Sequence, residues 1–316
     1  MISKRNLILG GLGLGLGCGL GALTENAARA QARTQLNHVL SVPIEVSPVG
    51  RLYVSVMIGG RGPFRFVIDT GAYVSCIRES LAKELGLAYA SSSIGEGMGG
   101  GEMNNAVYLA RDMVFGGALR QSAVALSGLK AFPECDGLLA AGFLTVLPTE
   151  LDYEAREIRF YPPHTLDESA YHWLPTSRKA DSEQSSPKVY IRMKWRGDTL
   201  QAVLDTGAPP ELILLPDYVR AHHLWDSFPS YKALTGSGIT GAAFTRRLVD
   251  AQDINLGAIH YDTLKISLED PSVRENVGGE DAILGSRLLR QFTIAFNGEK
   301  GVGLKPNSAF TGSATG

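Results

Sequence analysis

Cysteine is scarce in this sequence and positive charge is unclustered. Three cysteines, Cys18, Cys76 and Cys135, stand among 316 residues. None sits in a Cys/His cluster, and no His-Glu-x-x-His occurs, so the chain presents no metal-ligand pattern and neither a metal nor another cofactor is expected. His222 and His223 adjoin on a predicted helix, where neighbours point in different directions and make a poor ligand pair. No Gly-x-Ser-x-Gly appears, which excludes a nucleophile elbow. The longest positive run is Arg246-Arg247 and the formal net charge is −2, so nothing provides a nucleic-acid footprint. With 20% charged and 44% hydrophobic residues, the composition is that of a soluble globular protein large enough for two modest domains.

The first 32 residues read as a signal peptide rather than as fold. Lys4-Arg5 is followed by a Leu/Gly stretch from Leu7 to Leu23, then by Ala28-Arg29-Ala30, a small-x-small cleavage pattern. The stretch is short and rich in glycine, which disfavours a permanent membrane span. Ser3-Lys4-Arg5-Asn6-Leu7-Ile8 is similar to a twin-arginine export signal with Lys in the first Arg position. Gly15 stands where a lipobox before Cys18 would carry Leu. The expected location is the periplasm or outside the cell.

A repeat runs through the rest. Phe64–Ile77 contains Asp69-Thr70-Gly71-Ala72, and Leu200–Ile213 contains Asp205-Thr206-Gly207-Ala208, 136 residues later. Upstream of each lies an alternating apolar run, a Gly-containing turn and a second apolar run, the signal of a β-hairpin. Downstream of each comes a short helix candidate. The first pairs Glu79 with Lys83 and ends at Gly86; the second starts at Pro216. Then follow Gly-rich stretches at 95–103 and 236–244, apolar runs at 136–144 and 281–289, and a last pair of strand-like segments in each half. Short, β-branched, turn-punctuated strands with few helices predict two mainly β lobes. The expected boundaries are a first lobe over 33–175, a polar linker over 176–187, a second lobe over 188–306 and a frayed tail over 307–316.

The doubled Asp-Thr-Gly-Ala, the helix ending in Leu85-Gly86-Leu87, the Gly-rich stretches and the late runs Leu138-Leu139-Ala140 and Ile283-Leu284-Gly285 resemble the aspartic peptidases, in particular the retropepsin-like branch and its bacterial relatives. The resemblance covers nearly the whole chain after the leader. It implies a two-lobed acid-protease fold, mainly β, with pseudo-twofold lobes and one short helix after each catalytic turn. It also implies an endopeptidase with Asp69 and Asp205 as the catalytic pair, an extended polypeptide as substrate, and a monomer that is internally a pseudo-dimer. Thr70 and Thr206 would hydrogen-bond across to the opposite loop, and Met98, Gly99, Gly100, Ile239, Thr240 and Gly241 would form flap tips over the substrate. Two departures stand out. Ala140 occupies a position where the family has Gly, and Ala72 and Ala208 follow each Asp-Thr-Gly where the pepsin branch has a hydroxyl.

The chemistry fits without the name. Two carboxyls held close cannot both ionise, since like charges at short range raise one pKa; aspartic proteases are the standard example. The ionised member then deprotonates water while the protonated member donates toward the scissile carbonyl. Gly71 and Gly207 permit the close approach this needs, while Ala72 and Ala208 sit beside the substrate. Two other readings compete: a peptide-binding module that has lost catalysis, and a dinucleotide site built on Gly95, Gly97, Gly100 or Gly236, Gly238, Gly241. The second fails the requirement that such a motif open a helix. Finally, Cys76 follows the first catalytic turn and Cys135 precedes the strand expected behind it, so an exported chain is expected to join them in a disulfide.

Overall fold

The computed structural model describes residues 7–9, 36–96, 102–130, 134–145, 147–179, 186–229, 232–237, 243–273 and 279–315. The two halves build the same sheet twice. In the first, Leu52–Ile58 pairs antiparallel with Arg61–Ile68, the strand that delivers Asp69. In the second, Lys188–Trp195 pairs antiparallel with Asp198–Asp205. The period-2 alternation explains both. Leu52, Val54, Val56 and Ile58 face the main core, as do Val189, Ile191, Met193 and Trp195, while Arg192 and Lys194 stay exposed. Full burial of each such aliphatic side chain contributes about 1.5–3 kcal/mol.

The chain then crosses itself in a repeated way. Gly137–Leu139 lies parallel to the end of Arg61–Ile68 and antiparallel to Cys76–Arg78. Ala282–Gly285 lies parallel to Asp198–Asp205 and antiparallel to Leu212–Leu214. The late apolar runs thus insert between the strand before each Asp and the strand after it. Gly137 is needed there because a Cβ would sit 2.2 Å from the Phe66 ring.

A third sheet of six strands uses both halves. Thr149–Asp152 pairs with Glu157–Phe160 on one side and with Phe292–Asn297 on the other; Gly301–Pro306 and His172–Leu174 continue it, and Leu40–Pro43 closes the far edge. The final strand pairs of the two repeats therefore meet each other.

The helices are short. Glu79–Glu84 ends in a Schellman motif: Gly86, at φ +66°, donates its N–H to Lys83 O (3.0 Å) and Leu87 donates to Ala82 O (3.0 Å). Glu79 and Lys83 form the expected ion pair at 2.7 Å. Pro216–Ala221 begins on its proline. Among the described residues no helix is long and apolar enough to cross a membrane. Leu7–Leu9, within the expected leader, pairs in parallel with Leu119–Gln121.

Three expectations are corrected. The expected linker over 176–187 begins, in its described residues, as structure: Thr176–Lys179 is an edge strand paired with Lys188–Ile191. An edge strand tolerates charged side chains, which is why it reads as polar and structureless. The tail 307–316 is not frayed. Phe310 packs on Phe292 (ring centroids 5.4 Å) and Tyr261 (5.8 Å), Thr311 N–H donates to Gln291 Oε1 (3.0 Å), and Ser313–Ala314 pairs with Ile259–His260. The Cys76–Cys135 disulfide is not formed and both thiols are free. The ladder places Leu138, not Cys135, opposite Cys76, and Cys135 precedes the paired residues.

Replacing Phe310 by Ala, which opens a hole beside Phe292 and Tyr261, is expected to cost about 2–3 kcal/mol in urea unfolding. A variant within ~0.5 kcal/mol of the parent would return the tail to the status of a frayed end.

Candidate functional site

Each Asp-Thr-Gly turn emerges from a strand end and meets its counterpart across the lobe boundary. Thr70 and Thr206 are fully buried. The Thr70 N–H donates to Thr206 Oγ1 (3.2 Å) and the Thr206 N–H donates to Thr70 Oγ1 (3.0 Å). Each hydroxyl then donates onward to the opposite lobe, Thr70 Oγ1 to Leu204 O (2.6 Å) and Thr206 Oγ1 to Ile68 O (2.7 Å). All four bonds cross from one half of the chain to the other. Removing one hydroxyl would strand buried groups on both sides, at about 1–3 kcal/mol per unsatisfied group.

The glycines explain how close the two carboxyls come. A Cβ on Gly71 would lie 2.4 Å from Asp205 Cγ, and one on Gly207 would lie 2.5 Å from Asp69 Cγ. Each glycine is thus the floor on which the other lobe's carboxyl rests. The two carboxyls thereby stand close enough to act on each other. Burial first, and then the Asp205 charge, push the Asp69 carboxyl well above its ordinary range. The backbone treats the two differently. Asp69 Oδ1 accepts from Gly71 N (2.9 Å) alone, while Asp205 Oδ1 accepts from Gly207 N (2.8 Å) and Ala208 N (3.1 Å). In the first lobe the Ala72 N–H turns instead to the main-chain oxygen of Asp69 (3.3 Å). The arrangement is a close carboxyl pair, in which Asp205 receives one more backbone N–H than Asp69.

The departure at Ala140 has a visible consequence. Behind Asp205, Gly285 packs so tightly that a Cβ would meet Pro210 O at 2.1 Å and Ala208 O at 2.6 Å. There Gly285 N donates to Glu211 O (3.0 Å) and Ser286 N donates to Ala208 O (2.7 Å). Behind Asp69 the Ala140 methyl keeps the strands wider. Ala140 N donates to the Ser75 hydroxyl (3.0 Å) instead of to a carbonyl, and the bond from Ala141 N to Ala72 O lengthens to 3.5 Å.

The flap residues Met98, Gly99, Gly100, Ile239, Thr240 and Gly241 lie outside the described residues. The arms that lead to them are antiparallel hairpins, Ala88–Glu96 with Glu102–Phe115 and Lys232–Ser237 with Ala243–Leu256. The described residues on both sides of each Gly-rich stretch are strands, so among them the dinucleotide reading finds no helix to rest on. His222 stacks on Tyr218 (4.1 Å) and approaches Asp198 (3.4 Å), and no metal-ligand cluster occurs among the described residues. Cys76, buried beneath the first turn, has its thiol pushed up to about 12 by burial and by the Asp69 charge, so it is no nucleophile.

Sequence reasoning missed the residues that brace the turns from the opposite lobe. Arg51 Nε donates to Gly207 O (2.9 Å), and its guanidinium also pairs with Glu134 (3.0 Å). Ser286 Oγ donates to Val49 O (2.9 Å) and Arg290 Nη1 to Pro48 O (2.9 Å). Gly50, at φ +86°, lets this contact close, since a Cβ would lie 2.6 Å from Ser286 O. In the second half Lys188 lies over the Tyr73 ring at 4.0 Å. The repeat held the signal: Arg51 and Lys188 occupy matched places just before Leu52 and Val189.

Residues 54–140 match the family model described as Aspartyl protease, a segment that carries Asp69 and the strand behind it. A comparison with curated proteins finds no match. Among solved structures the chain is similar to the aspartic proteinase from Irpex lacteus, at 13% identity over 86% of this chain and 98% of that one, with a TM-score of 0.53. It is also similar to basic 7S globulin from soybean, at 10% identity over 86% and 96% of the two chains, with a TM-score of 0.46. The likeness to the proteinase establishes the fold as mainly β and two-lobed, of the acid-protease type.

The unequal support behind the turns yields a direct test. Gly285→Ala must displace the Asp205 turn, and any hydrolytic activity is expected to fall by about 100-fold or more. Ala140→Gly at the matched position is expected to stay within about tenfold of the parent. Equal effects at the two sites in steady-state kinetics would refute the asymmetry.

Proposed function

We propose that this chain is an aspartic endopeptidase that hydrolyses extended polypeptide with a water activated between Asp69 and Asp205. One observation carries the reading: the two carboxyls are delivered by matching buried turns, locked to each other by reciprocal Thr70–Thr206 bonds, each carboxyl resting on the other turn's glycine. A binding module has no use for so costly an approach of two acids. The Aspartyl protease match over 54–140 supports the same reading. In the proposed cycle Asp205, steadied by two backbone N–H donors, takes a proton from water, and Asp69 donates its retained proton toward the scissile carbonyl oxygen. No covalent intermediate and no cofactor enter. The substrate lies extended between the turns and the hairpins 88–115 and 232–256, adding its backbone as a strand. The leader over 1–32 sends the enzyme to the periplasm or beyond. The internal duplication lets one chain supply both halves of the site, so a monomer suffices.

The test is hydrolysis of a peptide library by residues 33–316 across pH, with a statine-type inhibitor as control. Asp69→Asn and Asp205→Asn are each expected to abolish cleavage and leave the fold intact. Stability gives an independent reading. A carboxyl whose folded pKa is raised costs stability progressively as pH climbs from its unfolded value near ~3.9 through the folded one. Asp69→Asn removes that loss, so its Tm is expected to exceed the parent's at pH 7 and to converge with it below pH ~4. Saturable peptide binding with no hydrolysis at any pH would replace the enzyme by the binding module.

The pH optimum follows from the same geometry. Ala72 and Ala208 offer no hydroxyl to the carboxylate oxygens, and a donor to the charged form would lower the pair's titration. A bell-shaped profile centred on mildly acidic pH is expected. Ala72→Ser with Ala208→Ser is expected to move its acidic limb downward in kcat/KM; an unmoved or raised limb would dismiss the hydroxyl argument.

A further inference from the structure

The two cations at the start of the matched strands Leu52–Ile58 and Lys188–Trp195 reach across the lobe boundary to the opposite catalytic turn, but they do so by different means. Arg51 makes a directional hydrogen bond to Gly207 O (2.9 Å). Lys188 makes none to the turn. Its side chain, only 14% exposed, lies over the Tyr73 ring at 4.0 Å, and Tyr73 immediately follows Asp69-Thr70-Gly71-Ala72. Its ammonium is 3.8 Å from Glu280 Oε1, the long end of an ion pair. Ser186, two residues earlier, donates its N–H to Tyr73 O at 2.6 Å, so the same segment grips the turn by its backbone.

Resting on the peptidase reading of Asp69 and Asp205, we infer that Lys188 is a positioning residue of the carboxyl pair. From the second lobe it seats the first catalytic turn through Tyr73, and it sets the pH window in which the pair holds a single proton. The surroundings are well defined. Of the charges acting on Asp69, that of Asp205 comes first and that of Lys188 last, and Cys76 lies beneath the turn. Lys188 itself faces Glu280 and Tyr73, and the Tyr73 hydroxyl lies 3.4 Å from that of Tyr190. Lys179, opposite Lys188 in the strand register, is held away by Gln201 (2.9 Å) and stands over the Tyr190 ring. A positive charge near two acids favours their ionised forms, and here it opposes the upward push of burial on Asp69. A diffuse charge beside an aromatic ring tunes the pair without fixing either oxygen, which the backbone N–H groups already do.

The experiment measures two pH profiles, kcat/KM and Tm, for the mature chain and for Lys188→Arg, Lys188→Met and the double variant Lys188→Gln with Glu280→Gln. The double variant guards against misfolding, because Lys188→Met alone leaves the buried Glu280 without this partner. Lys188→Arg is expected to keep the parent profile. Both charge-removing variants are expected to move the acidic and the basic limb of kcat/KM upward together, by roughly half a pH unit or more. The fall of Tm with rising pH is expected to move the same way, and that shift is expected to vanish in an Asp69→Asn background. Arg51→Met serves as contrast: it is expected to lower kcat/KM with no displacement of the limbs. Unmoved limbs and an unmoved Tm profile in the folded charge-removing variants would overturn the inference. A chain without hydrolysis that still shows the Asp69-dependent Tm shift would retain the role of Lys188 and lose the peptidase reading.

Discussion

Two acidic side chains pressed together inside a protein repel each other and resist desolvation, and the rest of this structure is arranged to hold them there. Burial and the neighbouring charge both work against ionisation of Asp69. The compensation is local and reciprocal. Thr70 and Thr206 exchange two bonds and each hydroxyl donates one more to the opposite lobe's main chain, while the backbone N–H groups of Gly71, Gly207 and Ala208 donate to the carboxylates. Remove the contact between turns and neither lobe has a reason to keep its glycine, its buried threonine or its crossed strands.

The duplication is close in backbone and unequal in chemistry. The same ladders lead to both acids, yet Asp205 accepts two N–H donors and Asp69 one. Gly285 packs hard behind Asp205, whereas Ala140 leaves the first turn on a hydroxyl and a longer bond. Arg51 grips the second turn with a hydrogen bond, and Lys188 attends the first with charge. These differences make the two carboxyls of the pair chemically unequal. A dimer of identical chains presents two equivalent carboxyls; a single chain with diverged halves presents two different ones.

Much of this was legible because the repeat doubles each weak signal. One Asp-Thr-Gly is a turn, but two in matched frames specify a pair, and the alternating runs before them specify the strands that deliver it. The helix ending at Gly86 was readable from its Glu79–Lys83 pair and its glycine. What stayed hidden shares one property: the partner is a backbone group or a distant surface. Arg51 donates to a carbonyl, Ser286 donates to Val49 O, and Ser75 accepts from the Ala140 N–H, and carbonyls and amides leave no mark in the residue letters. The polar stretch 176–187 read as linker because an edge strand has few apolar side chains to show. The tail read as frayed because its one large apolar side chain, Phe310, stands among small and polar neighbours whose bonds are to the backbone and to Gln291. The cysteine pairing failed for a reason of register, which places Leu138 opposite Cys76.

The shared six-stranded sheet is what keeps these inequalities in one working geometry. Were the halves joined only by a linker, the Thr70–Thr206 contact would have to bear alone the relative rotation of two large sheets. Instead Thr149–Asp152 pairs in register with Phe292–Asn297 over four residues, and Leu40–Pro43 and His172–Leu174 close opposite edges of the same sheet. The Arg159 guanidinium ties Asp152 and Glu157 across the strand pair next to that junction. Catalysis of the proposed kind tolerates misplacement of well under 1 Å between its two acids. Side chains at a turn cannot guarantee that over a chain of this size, but a continuous backbone ladder between the halves can. The lobes are therefore repeats in sequence and a single unit in mechanics, which is why the chain carries its acids on the halves and ties their last strands into one sheet.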